Sequence, residues 1–79
     1  MELNQTMEES QKRILQYVEK ELGVSGEIDK DISDQPVIVK INLSVDQAKG
    51  WIDRIEKELK GCTAKYDIWG KKIHISWFN

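Results

Sequence analysis

Two hydrophobic periods divide the chain. Apolar residues recur at helical spacing in Ile14, Leu15, Val18 and Leu22, and again in Ala48, Trp51, Ile52, Ile55 and Leu59. Steps of three and four put such residues on one face of a helix. Elsewhere the period is two. Val37, Val39, Ile41 and Leu43 alternate with Ile38, Lys40 and Asn42; Cys62, Ala64, Tyr66 and Ile68 form one row of a later strand, and Ile73, Ile75 and Trp77 one row of the last. Alternation sends successive side chains to opposite faces of a sheet. A weaker strand is expected over residues 27–32, with Ile28, Lys30 and Ile32 on one side and Glu27, Asp29 and Asp31 on the other.

Punctuation agrees with these periods. Thr6 and Glu9 have capping-box spacing, as do Ser44 and Gln47, so each pair satisfies amide donors at a helix start. Gly23 and Gly61 stand where the two helical stripes end, and glycine takes the left-handed conformation there without a Cβ clash. Gly50, inside the second helix, costs roughly 1 kcal/mol relative to alanine. Ser33-Asp34-Gln35-Pro36 and Trp69-Gly70-Lys71-Lys72 carry turn chemistry. With these turns Ile68 pairs with Ile73 and Ala64 with Trp77, while Ile32 pairs with Val37 and Ile28 with Ile41. The expected core is Ile14, Leu15, Val18, Leu22, Val37, Val39, Ile41, Leu43, Ala48, Trp51, Ile52, Ile55, Leu59, Tyr66, Ile68, Ile73, Ile75 and Trp77.

The chain also repeats itself. Val18-Glu19-Lys20-Glu21-Leu22 returns as Ile55-Glu56-Lys57-Glu58-Leu59 at an offset of 37, and Ile14-Leu15 returns as Trp51-Ile52. The set Ile32, Val37, Val39, Ile41 aligns with Ile68, Ile73, Ile75, Trp77 at an offset of 36. Two copies of a helix followed by a hairpin give an α+β domain of order αββαββ. A helix joining the second and third strands makes a right-handed crossover. With the fourth strand inserted between them, all neighbours run antiparallel in the order 1-2-4-3, both helices lying on one face. This topology resembles a circularly permuted ferredoxin-like fold, a likeness spanning residues 6–78. Permuted ferredoxin-like domains occur in assembly-platform proteins of secretion and pilus systems, where they pair subunits, so the likeness implies association. Residues 1–5 are expected to be a loose leader and residues 6–79 a single domain.

Composition narrows the function. The chain has 79 residues, 39% hydrophobic and 33% charged, with a net charge of −2 and one cysteine. An acidic balance disfavours an obligate nucleic-acid binder, whose domain usually carries a basic face. One cysteine makes no internal disulfide, which suits a reducing, cytoplasmic setting. No run approaches the roughly 18 apolar residues of a membrane span, and residues 1–10 lack the basic-then-apolar form of a signal peptide.

Candidate chemistry is sparse. Asp29, Asp31, Ser33 and Asp34 hint at a calcium loop, but Asp34 stands where glycine is required and Lys40 where glutamate is required. By alternation Cys62 faces the core and His74 faces away, so the two share neither a proton nor a metal. No catalytic residue, metal ligand or cofactor is expected. The helix-free sheet face should present Ile38, Lys40, Asn42, His74, Ser76, Phe78, Thr63, Lys65, Asp67 and Trp69, with Ile38 beside Phe78 and Trp69 beside the Lys71-Lys72 turn. RNA-recognition domains of the unpermuted fold stack bases on aromatics of the central strands; here the centre is polar and the aromatics lie at the ends. The expectation is a small non-enzymatic protein-interaction module, an adaptor or a phage- or plasmid-type inhibitor. It would bind a protein or a second copy through Trp69, Phe78, Ile38, Lys40, His74, Lys71 and Lys72. The alternative is a nucleic-acid-binding domain using the same face.

Overall fold

The computed structural model describes residues 7–77. Thr6, the leader and Phe78 lie outside the described residues. The elements are α1 (Met7–Glu21), β1 (Glu27–Ile28), β2 (Val37–Lys40), α2 (Val45–Glu58), β3 (Cys62–Asp67) and β4 (Lys72–Trp77). The four strands form one antiparallel sheet in the order β1-β2-β4-β3. This is an α+β architecture with β4 in the interior of the sheet.

The start of α2 and the ends of both helices have local causes. Ser44 accepts from the Gln47 amide at 3.1 Å, and the Gln47 side chain accepts from the Ser44 amide at 3.0 Å. That reciprocal pair satisfies two donors that the helix itself leaves unpaired. After α1, Gly23 takes a positive φ of 68° and the Val24 amide returns to the Val18 carbonyl at 3.1 Å. Gly61, with φ 94°, does the equivalent service after α2.

The core lies between the helices and one face of the sheet. Ile14 and Val18 of α1, Ile55 and Leu59 beside α2's end, and Val37, Val39, Cys62, Ala64, Ile73 and Ile75 of the strands form one buried cluster. Leu15, Leu22, Ile41, Leu43, Trp51, Ile52, Tyr66 and Trp77 pack around it half-buried. Each fully buried Val or Ile contributes about 1.5–3 kcal/mol. Polar links hold the helices together above this layer. The Tyr17 hydroxyl donates to Glu58. Arg54 bonds Glu58 at 3.1 Å and reaches Glu21 at 3.6 Å.

Three sequence expectations are corrected. Ile68 is not in the core; it is 54% exposed in the β3–β4 turn. The Asp67 side chain accepts from the amides of Trp69 and Gly70, both at 3.0 Å, and so ends β3 one residue early. The closing pair is therefore Asp67 with Lys72, and Ala64 pairs with Ile75 rather than Trp77. Secondly, the first strand is Glu27–Ile28 only. Asp29 accepts from the Asp31 amide at 3.0 Å, a side-chain turn that breaks the strand. Ile28 pairs with Val37, not Ile41, and Ile32 has left the sheet. Thirdly, Ile38 is buried, at 5% exposure, although alternation points it away from the helices.

Candidate functional site

The long connection of residues 29–36 does not extend from the sheet edge; it folds back across the helix-free face. Two anchors hold it. The Ser76 hydroxyl of β4 donates to Asp34 at 3.1 Å. On the helix side the buried Gln11 amide of α1 donates to the Gln35 carbonyl at 3.0 Å, with the Gln35 side-chain oxygen at 3.3 Å. Gln35 itself has φ 45°, and its amide returns to Ile32 at 2.9 Å. Gln11 was absent from the expected core, yet it sits three residues before Ile14 on the same stripe. Its spacing was the signal; its polarity masked it.

Under this connection lies a recess of about 490 Å³, with Ile32, Asp34 and Pro36 on one side and Lys65, His74 and Ser76 among the sheet residues on the other. Ile38 belongs to a separate hollow of about 320 Å³ beside the Asp29–Asp31 turn. The helix-free face is thus partly roofed by a segment carrying Asp29, Asp31 and Asp34.

The remaining expected residues fall into two groups. His74, half-buried, stands between Ile38 of β2 and Lys65 of β3 in the cross-strand register. Lys40 and Lys72 are paired across β2 and β4; Lys40 also lies 3.8 Å from Glu27, in an exposed ion pair. Lys71 is exposed, with φ 53°. The structure therefore brings Ile38 to His74 and withdraws Ile38 from contact, while its expected neighbour Phe78 lies outside the described residues.

Trp69 is 94% exposed at the tip of the β3–β4 turn. The turn beneath it is well tied. The two Asp67 bonds close it from inside, and the Ile41 amide bonds the Lys71 carbonyl at 2.9 Å. Asp67 is held below the usual carboxylate range by the Gly70 amide first, then by the Trp69 amide and the charges of Lys72 and His74, against an opposing effect of burial. Next to this turn runs the connection from β2 to α2, fixed by the Leu43 amide bonding the Tyr66 hydroxyl at 2.9 Å. It delivers Val45, 63% exposed, to the same end of the sheet. Three of the four large exposed apolar residues among the described residues, Val45, Ile68 and Trp69, thus share one end of the sheet. Sequence reasoning marked Trp69 but missed Ile68 and Val45, because it assigned Ile68 to a strand interior.

Among the described residues, the two candidate reactive groups are held apart. Cys62 is buried on the helix side, its thiol 3.8 Å from the Ile55 carbonyl, and burial with the nearby Glu56 charge pushes its pKa up to about 11. His74 lies on the other face. Among the described residues no group of three or more His, Cys, Asp or Glu is placed to hold a metal ion, and no helix is long and apolar enough to cross a membrane. Comparison with protein families, with curated proteins and with solved structures finds no match.

Proposed function

We propose that the protein is a small non-enzymatic protein-interaction module, an adaptor or inhibitor acting in the cytoplasm, and that its contact surface is the end bearing Trp69, Ile68 and Val45. The observation that carries this reading is a large aromatic side chain almost fully in water on a turn that five residues hold in shape. Interface hot spots favour tryptophan anchored among apolar neighbours, and a pre-ordered turn lowers the entropy cost of docking it. The order αββαββ fits a tandem αββ unit and a circularly permuted ferredoxin-like topology, a fold-level analogy that agrees with pairing of protein surfaces.

Nucleic acid is the weaker reading. Phosphates need an accessible basic surface, whereas on the helix-free face Asp34 is bonded to Ser76 of the interior strand and Asp29 and Asp31 line the hollow that holds Ile38 and Lys40. Sedimentation across a concentration series, with affinity capture of a cognate protein, tests the proposal. Trp69→Ala should weaken association by over ~1 kcal/mol, about fivefold, without unfolding the chain. Because the contact is apolar, the loss should persist at high salt. Association unchanged in Trp69→Ala and in Ile68→Ser, with the fold intact, would remove this end from consideration.

A further inference from the structure

The sheet has two edges, and they are treated differently. β1 is only two residues long. β3 has six residues and, among the described residues, no strand beyond it in the sheet order. An edge strand of that length presents unpaired amides and carbonyls that template a further strand. In an antiparallel pair alternate residues direct their N–H and C=O groups at the neighbouring strand, and the rest direct theirs outward. The Ala64 amide is bonded by the Glu56 carboxylate of α2 at 3.0 Å. Ala64, and with it Cys62 and Tyr66, therefore belongs to the outward set. The Cys62 amide is returned to the Leu59 carbonyl at 3.1 Å. One exposed carboxylate, borrowed from the adjoining helix, thus closes the centre of the free edge.

We propose that Glu56 is a removable cap on the β3 edge, and that the partner this edge accepts when the carboxylate leaves is a second copy of the chain, antiparallel through its own β3 and centred on Ala64. The strand is self-complementary in that register. Ala64 meets Ala64 of the second copy, and the two exchange both main-chain bonds. The Tyr66 amide of each copy meets the Cys62 carbonyl of the other, so the Cys62 amide stays with Leu59. On the helix-free face Lys65 stands opposite Thr63 of the second copy, and Asp67 opposite Gly61, so no like charges are directly opposed. A register centred on Lys65 is ruled out twice: it opposes the two lysines, and it presents the groups already bonded to β4. Glu56 is exposed on the helix surface, so its side chain leaves the edge without disturbing the core. The inference rests on the bonding along β3, not on the Trp69 end, and the two fail separately.

Amide exchange and sedimentation equilibrium test it. In the intact protein the Ala64 amide should exchange more slowly than the Tyr66 amide, although both lie on the outer side of the strand. Glu56→Ala should tighten self-association by at least about tenfold, with the Ala64 and Tyr66 amides both becoming protected as concentration rises. Glu56→Gln keeps an acceptor oxygen and should stay as weakly associating as the parent. Glu56→Asp keeps the charge but is a methylene too short, and should behave as the alanine variant does, which covers the case of an alanine variant that fails to fold. Trp69→Ala placed in the Glu56→Ala background should leave the dimer unchanged. Equal exchange at Ala64 and Tyr66 in the parent would overturn the cap. Glu56→Ala and Glu56→Asp that associate no more than the parent, or a dimer with both amides unprotected, would overturn the pairing.

Discussion

Tyr66 shows how much one polar atom organises. Its ring sits on the core face of β3, half-buried, and its hydroxyl crosses to the connection between β2 and α2. There it accepts from the Leu43 amide at 2.9 Å and has two carbonyl acceptors, Leu43 at 3.1 Å and Ile41 at 3.3 Å. A single hydroxyl thereby satisfies the irregular backbone just before the Ser44 cap, and it fixes where α2 starts and where Val45 is presented. Removing the oxygen leaves the Leu43 amide without its partner in a partly buried place, and an unsatisfied buried donor costs about 1–3 kcal/mol. Tyr66→Phe should lower the chemical-denaturation midpoint accordingly while changing nothing in hydrophobic area. A midpoint equal to the parent's would mean that water replaces the hydroxyl freely. Nothing in the sequence announced this role. Alternation marked Tyr66 as inward and apolar, and the bonds it makes span 23 to 25 positions.

Among the elements, two glycines make opposite predictions from the same substitution. A Cβ added at Gly50, within α2, meets nothing within 4 Å. Its backbone is helical, so alanine there should stabilise the protein by up to about 1 kcal/mol. A Cβ added at Gly26, just before β1, comes within 2.9 Å of Val37 Cγ1, 3.0 Å of Leu15 Cδ2 and 3.3 Å of Val18 Cγ2. Val37 and Val18 are fully buried and cannot yield, so Gly26→Ala should destabilise by about 1–3 kcal/mol through overpacking. Thermal melts of the two variants should move in opposite directions; movement in the same direction would contradict the packing around β1. The same elements show what periodicity can and cannot specify. The inward rows of β2, β3 and β4 were legible, as were the Ser44 cap, the Gly23 and Gly61 stops and the sheet order. Register was not. A slip of two or four residues leaves every side chain on its own face, so alternation is blind to it. The choice fell to Asp67, whose carboxylate takes two turn amides, and to Asp29, whose carboxylate turns the chain out of β1. The covered site was illegible for the same reason. Ile38 lies on the outward row as expected, but the chain released by that early turn folds back over the helix-free face.

At the scale of the whole molecule, α1 and α2 share the core and meet above it in one ionisable cluster, which makes their union sensitive to pH at both extremes. The Tyr17 hydroxyl on α1 donates to Glu58 on α2, and Arg54 bonds the same carboxylate oxygen. Glu58 is held below its ordinary value of 4.5, by the Tyr17 hydrogen bond first and the Arg54 bond second. A carboxyl group whose folded value is depressed contributes stability that is present above 4.5 and lost as the pH falls through the folded value. Tyr17 is shifted the other way, from 10.0 up to about 12, by burial first and then by its bond to Glu58. A phenol whose folded value is raised contributes stability that is fully present below pH 10.0 and lost as the pH climbs through about 12. The contact between the helices is therefore complete between those two limits and weakens beyond either. Asp67 adds to the acid side from the opposite end of the sheet, since its value is lowered by the Gly70 and Trp69 amides. Tyr17→Phe separates the contributions. It abolishes the phenol's own alkaline loss and removes the larger cause of the Glu58 depression, leaving Arg54 and the Asp67 turn to shape the acid limb. Urea midpoints measured from pH 3 to pH 12 should show the variant falling less steeply than the parent above pH 10.0. If parent and variant fall in parallel there, the alkaline loss belongs to groups outside this cluster, and Tyr17 does not couple the helices through Glu58.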